Sequence, residues 1–550
     1  MKSFYTLLIL TTAFSVKSFS QCPPTAAFDF LDINEVEARI NQGGDLWWNY
    51  VDQAGYEVPN DSGVHSLYGG AIWIGGLDDM GDLHVAAQTY RQKGNDFWAG
   101  PLDANGSVTQ GVCEQWDKIW KVRRTDIDDF IATYNSIGAP IPVGQIPASI
   151  LDWPSTGNPY CTDALNNLLL INQDIAPFVD VDLNGEYDPT GGDYPDVPGD
   201  ECLFWVFNDN GNIHGETGGV PMKIEVHAMA FAFTDITYCL EYTTFYKYEI
   251  INRSGVDYDS VCVGKWTDVE MGDYSDDYLG CDTLRDLGIG YNGDTIDGPG
   301  IPNYGSTPPI IAIDLLENSA FANNDLMSSF VVYINNVANQ QNGDPMLPIH
   351  YYNFLRGLLK DGSPLTYGGY GYGGSQIFPW MFPDDPSDTS GWSECTEANL
   401  PADRRFIMGS GPFDFTANEN FTFAYAVEWV RPPLGSYPCP SFSSITDCAD
   451  FIQTIYDNVI NTKVEDLKNQ TLNIYPNPFT DYFIIDLSAI ADRENLSLEI
   501  FNLQGELLRS IKDIRETKLK IERGNLDTGL YIMKLNSSST EYAQMKLIII

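Results

Sequence analysis

The sequence predicts a mainly β protein: a large β-sandwich or jelly-roll-like region with long loops and few helices, followed by a small immunoglobulin-like β-sandwich. Three observations carry this. Among 550 residues there are 49 Gly and 32 Pro, a composition that suits many turns between short strands. The clearest patterned segments, 223–233, 240–251, 260–266 and 421–430, are aromatic and β-branched runs of strand character. Hydrophobic content of 43% with 13% aromatics is enough for folded cores, and the length exceeds what one core supports, so two to four domains are expected.

In chain order, residues 1–20 read as a secretory signal peptide. Lys2 precedes a short apolar run from Phe4 to Phe14, and Ser18-Phe19-Ser20 puts small residues at −3 and −1 before Gln21. The run is too short to cross about 30 Å of hydrocarbon, and no later segment reaches the length of a transmembrane helix. Cys22 raises a lipid-attachment alternative, but Gln21 stands where such a box needs a small residue.

Residues 21–470 hold 65 acids against 19 bases, whereas 471–550 hold 11 against 9, so the formal net charge of −46 sits in the middle of the chain. A field of that sign repels nucleic acid and anionic membranes and attracts divalent cations. The shift marks a boundary near 470. The expected division is a signal at 1–20, an acidic β-rich region at 21–445 in one or two domains, a helix and linker at 446–470, and a terminal β-domain at 471–550. Two helices are predicted, 126–134 with Thr125 as cap and 447–460 with Thr446 as cap. The second has Phe451, Ile452, Ile455, Tyr456, Val459 and Ile460 on one face.

Ten cysteines, none in the signal segment, favour disulfides in an exported chain. Cys439 with Cys448 and Cys262 with Cys281 are the pairs that proximity in sequence suggests.

The sharpest constellation is Asp180-Val-Asp-Leu-Asn-Gly-Glu-Tyr-Asp188. Oxygen donors at alternate positions with Gly185 at the sixth are what Ca2+ requires. Asp180, Asp182, Asn184, Glu186, Asp188 and Asp193 are therefore the first candidate calcium ligands. Gly191 stands where an EF-hand loop would place a bidentate Glu, so Asp193 or Asp200 would have to close the shell; the alternative is a solvated turn. A second cluster offers Asp268, Glu270, Asp276 and Asp277 as ligands of another calcium ion, with a solvated acidic loop as the alternative. Asp268 and Glu270 alternate at the end of a strand and so point to one side.

No catalytic residue is assigned, and the enzyme question stays open, leaning to no. The five histidines (65, 84, 214, 227, 350) lack metal-ligand spacing, and neither a His-Glu-x-x-His helix, a Gly-x-Ser-x-Gly elbow nor a Gly-rich phosphate loop occurs. His227 reads as a hydrogen-bonded structural residue within a strand. Trp47, Trp48, Trp73, Trp98, Trp116, Trp120, Trp380 and Trp392 offer faces for sugar rings, against a core-packing alternative. Asp403-Arg-Arg405 is a rare basic spot, read as a structural salt bridge or a carboxylate-binding site.

The terminal 80 residues carry Ile474-Tyr-Pro-Asn-Pro-Phe479, a hairpin around Gly505, Leu526-Asp-Thr-Gly-Leu-Tyr-Ile532 and a last strand with Lys546 followed by apolar residues. Alternation and turns fit about seven short strands in a sandwich. This order of pieces resembles the type A C-terminal sorting domain of type IX secretion system cargo proteins of Bacteroidota. The resemblance implies engagement of the type IX machinery through 471–550. It also implies passage through the periplasm and outer membrane, and attachment to the cell surface or release. Asp193-Tyr-Pro, Phe204-Trp-Val-Phe-Asn-Asp209, Gly280-Cys-Asp282, Tyr291-Asn-Gly-Asp294 and the stretch from Asp403-Arg-Arg to Gly411-Pro-Phe413 are similar to a functionally undefined region of other secreted proteins of this group. The expected protein is thus an exported, calcium-stabilised binding or structural protein with a glycan or protein ligand. A secreted hydrolase of polysaccharide or protein is the alternative.

Overall fold

Strand Tyr258–Val269 shows how the acidic region is built. Successive side chains of a strand point to opposite faces, and here both faces are covered. Lys265 reaches inward, its ammonium 4.1 Å from the Trp47 ring and 5.0 Å from that of Tyr425. Trp266 points outward and stacks on Trp73, which in turn meets Tyr351 of helix Pro348–Leu355. The structure, a computed structural model, describes residues 22–461 apart from 52, 235–236, 299–301, 307 and 322–325. It also describes 473–549 apart from 476–478, 480–481, 488–495, 502–506, 513, 527–528 and 538–539. The expected signal, the linker 462–470, Pro476-Asn-Pro478 and the turn at Gly505 lie outside the described residues.

Tyr258–Val269 sits inside an antiparallel sheet of nine strands. The main path runs Phe28–Leu31, Glu37–Asn41, Asp45–Leu46, His65–Leu77, Tyr258–Val269, Arg404–Phe415, Ser329–Ile334. A second sheet of nine runs Asp277–Asp282, Leu287–Asn292, Ile310–Asn318, Asn420–Val430, Thr243–Asn252, Ile224–Ala232, Glu201–Asn208, Trp98–Ala99, with Trp120–Arg123 on the side. The two sheets face each other across an aromatic core. Trp47 donates its indole N–H to the Tyr246 hydroxyl at 2.9 Å, and Trp429 donates to Ser66 at 3.1 Å. This is the expected sandwich. The tryptophans offered as sugar platforms are its filling: Trp47, Trp48, Trp73, Trp98, Trp116, Trp120 and Trp392 are buried, and Trp380 packs half-buried against the same core.

Helices are few, as predicted, but their starts move. The first spans Arg124–Ile137 and begins at Arg123, with Thr125 already inside it. The second spans Ser443–Ile455 and continues as a π-helical turn, Tyr456–Ile460. Thr446 lies within its first turn, its hydroxyl donating to the Ser443 carbonyl, so local side-chain bonding is used inside the helix rather than as a cap. Its buried face includes Ile452 and Ile455, as the periodicity requires.

The disulfides differ from those suggested by proximity. They join Cys22 to Cys113, Cys239 to Cys448, and Cys395 to Cys439. Cys262 lies in the first sheet and Cys281 in the second, and both are buried thiols. Burial pushes the Cys262 thiol up to about 12, which leaves it unreactive near neutrality.

The end of the chain forms seven described strands in two further sheets. Asn473–Tyr475, Tyr482–Asp486 and Lys518–Glu522 make one; Leu507–Ile511, Ser497–Phe501, Gly529–Ser537 and Thr540–Ile549 make the other. Phe479, Phe483, Ile485, Leu498, Ile500, Met533 and Leu547 fill a core between them. Among the described residues no strand of this part pairs with a strand of the acidic region. Phe501 packs against the acidic region's core.

Candidate functional site

The outer face of the first sheet ends in a cavity of about 500 Å3. Register explains its wall. Asp268 lies opposite Gly69 on one neighbouring strand and Arg405 on the other, and Arg405 lies opposite Tyr333. One row across four strands thus brings an acid, a guanidinium and a phenol abreast. Tyr68, Tyr90, Lys93, Glu270, Tyr274, Asp344 and Asp403 complete most of the lining.

Asp268 is buried and held twice. The Tyr90 hydroxyl donates to it at 2.5 Å, and the Arg405 guanidinium lies 3.2 Å away. Arg405 also donates to the Tyr90 hydroxyl at 2.7 Å and pairs with Asp403. Burial nevertheless pushes Asp268 up to about 7 against the pull of Arg405. Glu270, two residues on, faces the same cavity, where burial and then the charges of Asp268 and Asp403 push it up to about 8. Perturbed carboxyls in a cleft are the usual mark of a functional site. The Asp403-Arg-Arg405 motif resolves into two roles. Arg404 pairs with buried Glu394, a structural contact, while Arg405 belongs to the cavity wall.

The second acidic cluster is therefore divided. Asp268 and Glu270 line the cavity, whereas Asp276 and Asp277 pack beneath adjoining turns. Asp277 accepts from the Met271 amide at 3.1 Å, and Asp276 from the Gly298 amide at 3.2 Å. Burial raises both carboxyls, Asp276 to about 6.

The Asp180 loop connects strands Phe178–Val179 and Tyr194–Pro195, which pair with each other. Gly185 has φ +81°, the left-handed turn foreseen for the sixth position. Each acid is engaged by nearby donors. Asp180 accepts from the amides of Asn184 and Gly185, Asp182 and Asn184 serve amides two residues on, and Asp188 accepts from Thr190. Buried Asp193 closes the loop by accepting from Val181 and Asp188, both at 2.8 Å. Asp200 turns away to Thr234. Among the described residues no group of three or more His, Cys, Asp or Glu side chains is gathered as a metal centre. His227 is structural in its contacts, lying 2.9 Å from Glu225.

Tyr90 and Tyr333 were not foreseen as site residues. Tyr90 lies 178 residues from the acid it holds, and no local pattern marks such a residue. The alternation of Asp268 with Glu270 was the signal that could be read.

Comparison with known proteins adds the following. Residues 473–550 match the family described as secretion system C-terminal sorting domain. No curated protein matches the chain. Among solved structures, a polysaccharide lyase aligns with 59% of this chain and 34% of its own, at 6% identity and a TM-score of 0.19, a level of likeness on which nothing is built. No described helix is long and apolar enough to cross a membrane. The chain thus carries the sorting domain of a type IX secretion cargo and is exported to the cell surface or the extracellular space.

Proposed function

We propose that the exported protein is a binding protein whose cavity takes a polar, hydroxyl-rich ligand of the saccharide class. The observation that carries this reading is the cavity wall. Its volume of about 500 Å3 falls in the range of small-ligand sites, which combine apolar faces with a few placed polar groups. Tyr68, Tyr90, Tyr274 and Tyr333 supply ring faces and hydroxyls beside Asn335, Glu270 and Arg405. Titrating the mature full-length chain with an oligosaccharide panel tests it: Tyr274→Ala should weaken binding, and a panel without a binder discards the reading.

Hydrolysis is the second reading. Two residues apart on a strand, Asp268 and Glu270 have backbones separated by about 6.6 Å, near the roughly 6.5–9.5 Å of inverting glycosidases. Glu270, raised to about 8, is suited to hold a proton for a leaving group. Against it, Asp268 is already committed to Tyr90 and Arg405, which leaves no free base. Release of reducing ends, lost in Glu270→Gln, would favour hydrolysis.

Calcium at the 180–193 loop belongs to the same proposal as a stabiliser. The alternating oxygen donors and the turn at Gly185 support it; a second calcium at Asp268, Glu270, Asp276 and Asp277 has no such support, because those acids face different surroundings. Engagement of the type IX machinery by 471–550 is tested by deleting that segment, which should stop outer-membrane passage while the acidic region stays folded.

A further inference from the structure

We infer that the cavity recognises a primary ammonium group, and that its saccharide ligand is an amino sugar. This rests on the saccharide reading of the same cavity and deepens it. The argument is a balance of charge. Four carboxyls line the cavity, those of Asp268, Glu270, Asp344 and Asp403, against two cations, Lys93 and Arg405. Both cations are already used. Arg405 pairs with Asp268 and Asp403. Lys93 donates to the Pro345 carbonyl at 2.8 Å and the Tyr351 hydroxyl at 3.0 Å, and its nearest acid, at 3.6 Å, is buried Glu216.

Glu270 and Asp344 remain. Among the described residues neither has a cation at ion-pair distance or a side-chain hydrogen bond. Unpaired carboxyls in a partly dry site repel one another and lack the solvation they would have in water. The resulting cost shows in both groups, which burial raises above the ordinary range. A ligand cation removes that cost, a neutral ligand leaves it, and a uronate adds to it. The aromatic part of the wall fits the same guest, since the faces of tyrosine rings attract ammonium groups; Tyr274 is 54% exposed and open to such contact. A bare metal ion is the poorer guest, because no three acids are gathered as a metal centre among the described residues.

At neutral pH the Glu270 carboxyl holds a proton for much of the time. Arrival of the ammonium turns the acid into a carboxylate and passes that proton to the buffer, so binding is accompanied by proton release.

Calorimetry of the mature full-length chain tests this with three oligomers of equal length: glucosamine, its N-acetylated form, and galacturonate. The glucosamine oligomer should bind at least about tenfold more tightly than the acetylated one, one charge-assisted contact's worth, with proton release seen by comparing two buffers. The preference should shrink with added salt. Glu270→Gln or Asp344→Asn should abolish it, while Glu186→Gln in the remote loop should leave it intact. Equal or tighter binding of the acetylated or acidic oligomer overturns the ammonium inference and leaves the saccharide reading standing. Failure of all three to bind removes both, and binding only of a lysine-bearing peptide assigns the pocket to protein instead of sugar.

Discussion

The loop 180–193 and the segment 268–277 are written in nearly the same letters, and the fold treats them in opposite ways. Both crowd aspartates and a glutamate into a short stretch. In the loop, the donors that satisfy the acids come from the loop itself: Asp180 is served by amides four and five residues away, and Asp193 by one twelve residues back. Asp182 and Glu186 stay in water. In the second segment, Asp268 is buried and depends on Tyr90 and Arg405, 178 and 137 residues distant. Acid density alone therefore says little about a carboxylate's energetics. The distance along the chain to its donor decides whether it is a turn residue or part of a site.

The sharpest way to break this comparison is Arg405→Met. Removing one partner of a buried ion pair strands the other and costs about 3–5 kcal/mol, to be read by urea unfolding at neutral pH. A loss below about 1 kcal/mol, typical of exposed pairs, would make Asp268 no different from the loop acids.

A smaller effect comes from Glu270. Its folded value lies near 8, above the ordinary 4.5, so the folded state holds the proton more tightly than the unfolded chain does. That stabilisation is fully present below about 4.5 and is lost as pH rises through 8. Wild type should lose stability between pH 5 and pH 8, and Glu270→Gln should flatten that slope by about 2 kcal/mol, allowing for partial exposure. Parallel denaturation profiles for the two proteins would refute the assignment.

Tyr90→Phe follows. It deletes the hydroxyl that donates to Asp268 and accepts from Arg405, a loss of about 1.5 kcal/mol for a bond to a charged group. An unchanged midpoint would mean that water replaces the hydroxyl and that Asp268 is more open than its burial implies.

The smallest effect is expected in the loop. At ten times its dissociation constant, calcium would contribute about 1.4 kcal/mol. EDTA should lower the melting temperature slightly, and Asp182→Ala should remove that dependence. A melt indifferent to EDTA leaves the loop as a set of self-satisfied turns.

Much of the architecture was legible because it is written locally. Strands 224–232, 243–252 and 420–430 appear where β-branched and aromatic residues accumulate, and the helix ending near Ile460 appears where its apolar residues recur at helical spacing. The end of the chain was legible for the same reason. The cysteine pairs were not: Cys448 bonds to Cys239, 209 residues away, although Cys439 lies nine residues off. A disulfide depends on the two Cα atoms coming within reach, which sequence spacing does not report. The eight tryptophans were ambiguous for a related reason, since a ring that fills a sandwich and one that meets a ligand are the same residue in a one-dimensional string.

By itself, the sequence determined the export label at the end of the chain, the β class of the acidic region and the side of the strand on which Asp268 and Glu270 fall, because each follows from composition, order or a period of two. Only the tertiary structure decided which acids are paired and which are left over. Strand register set Arg405 beside Asp268, and the loop carrying Tyr90 folded over both, leaving Glu270 and Asp344 without a cation. Electrostatic energy depends on distance in space and on removal from water, and neither exists until the sheets have closed.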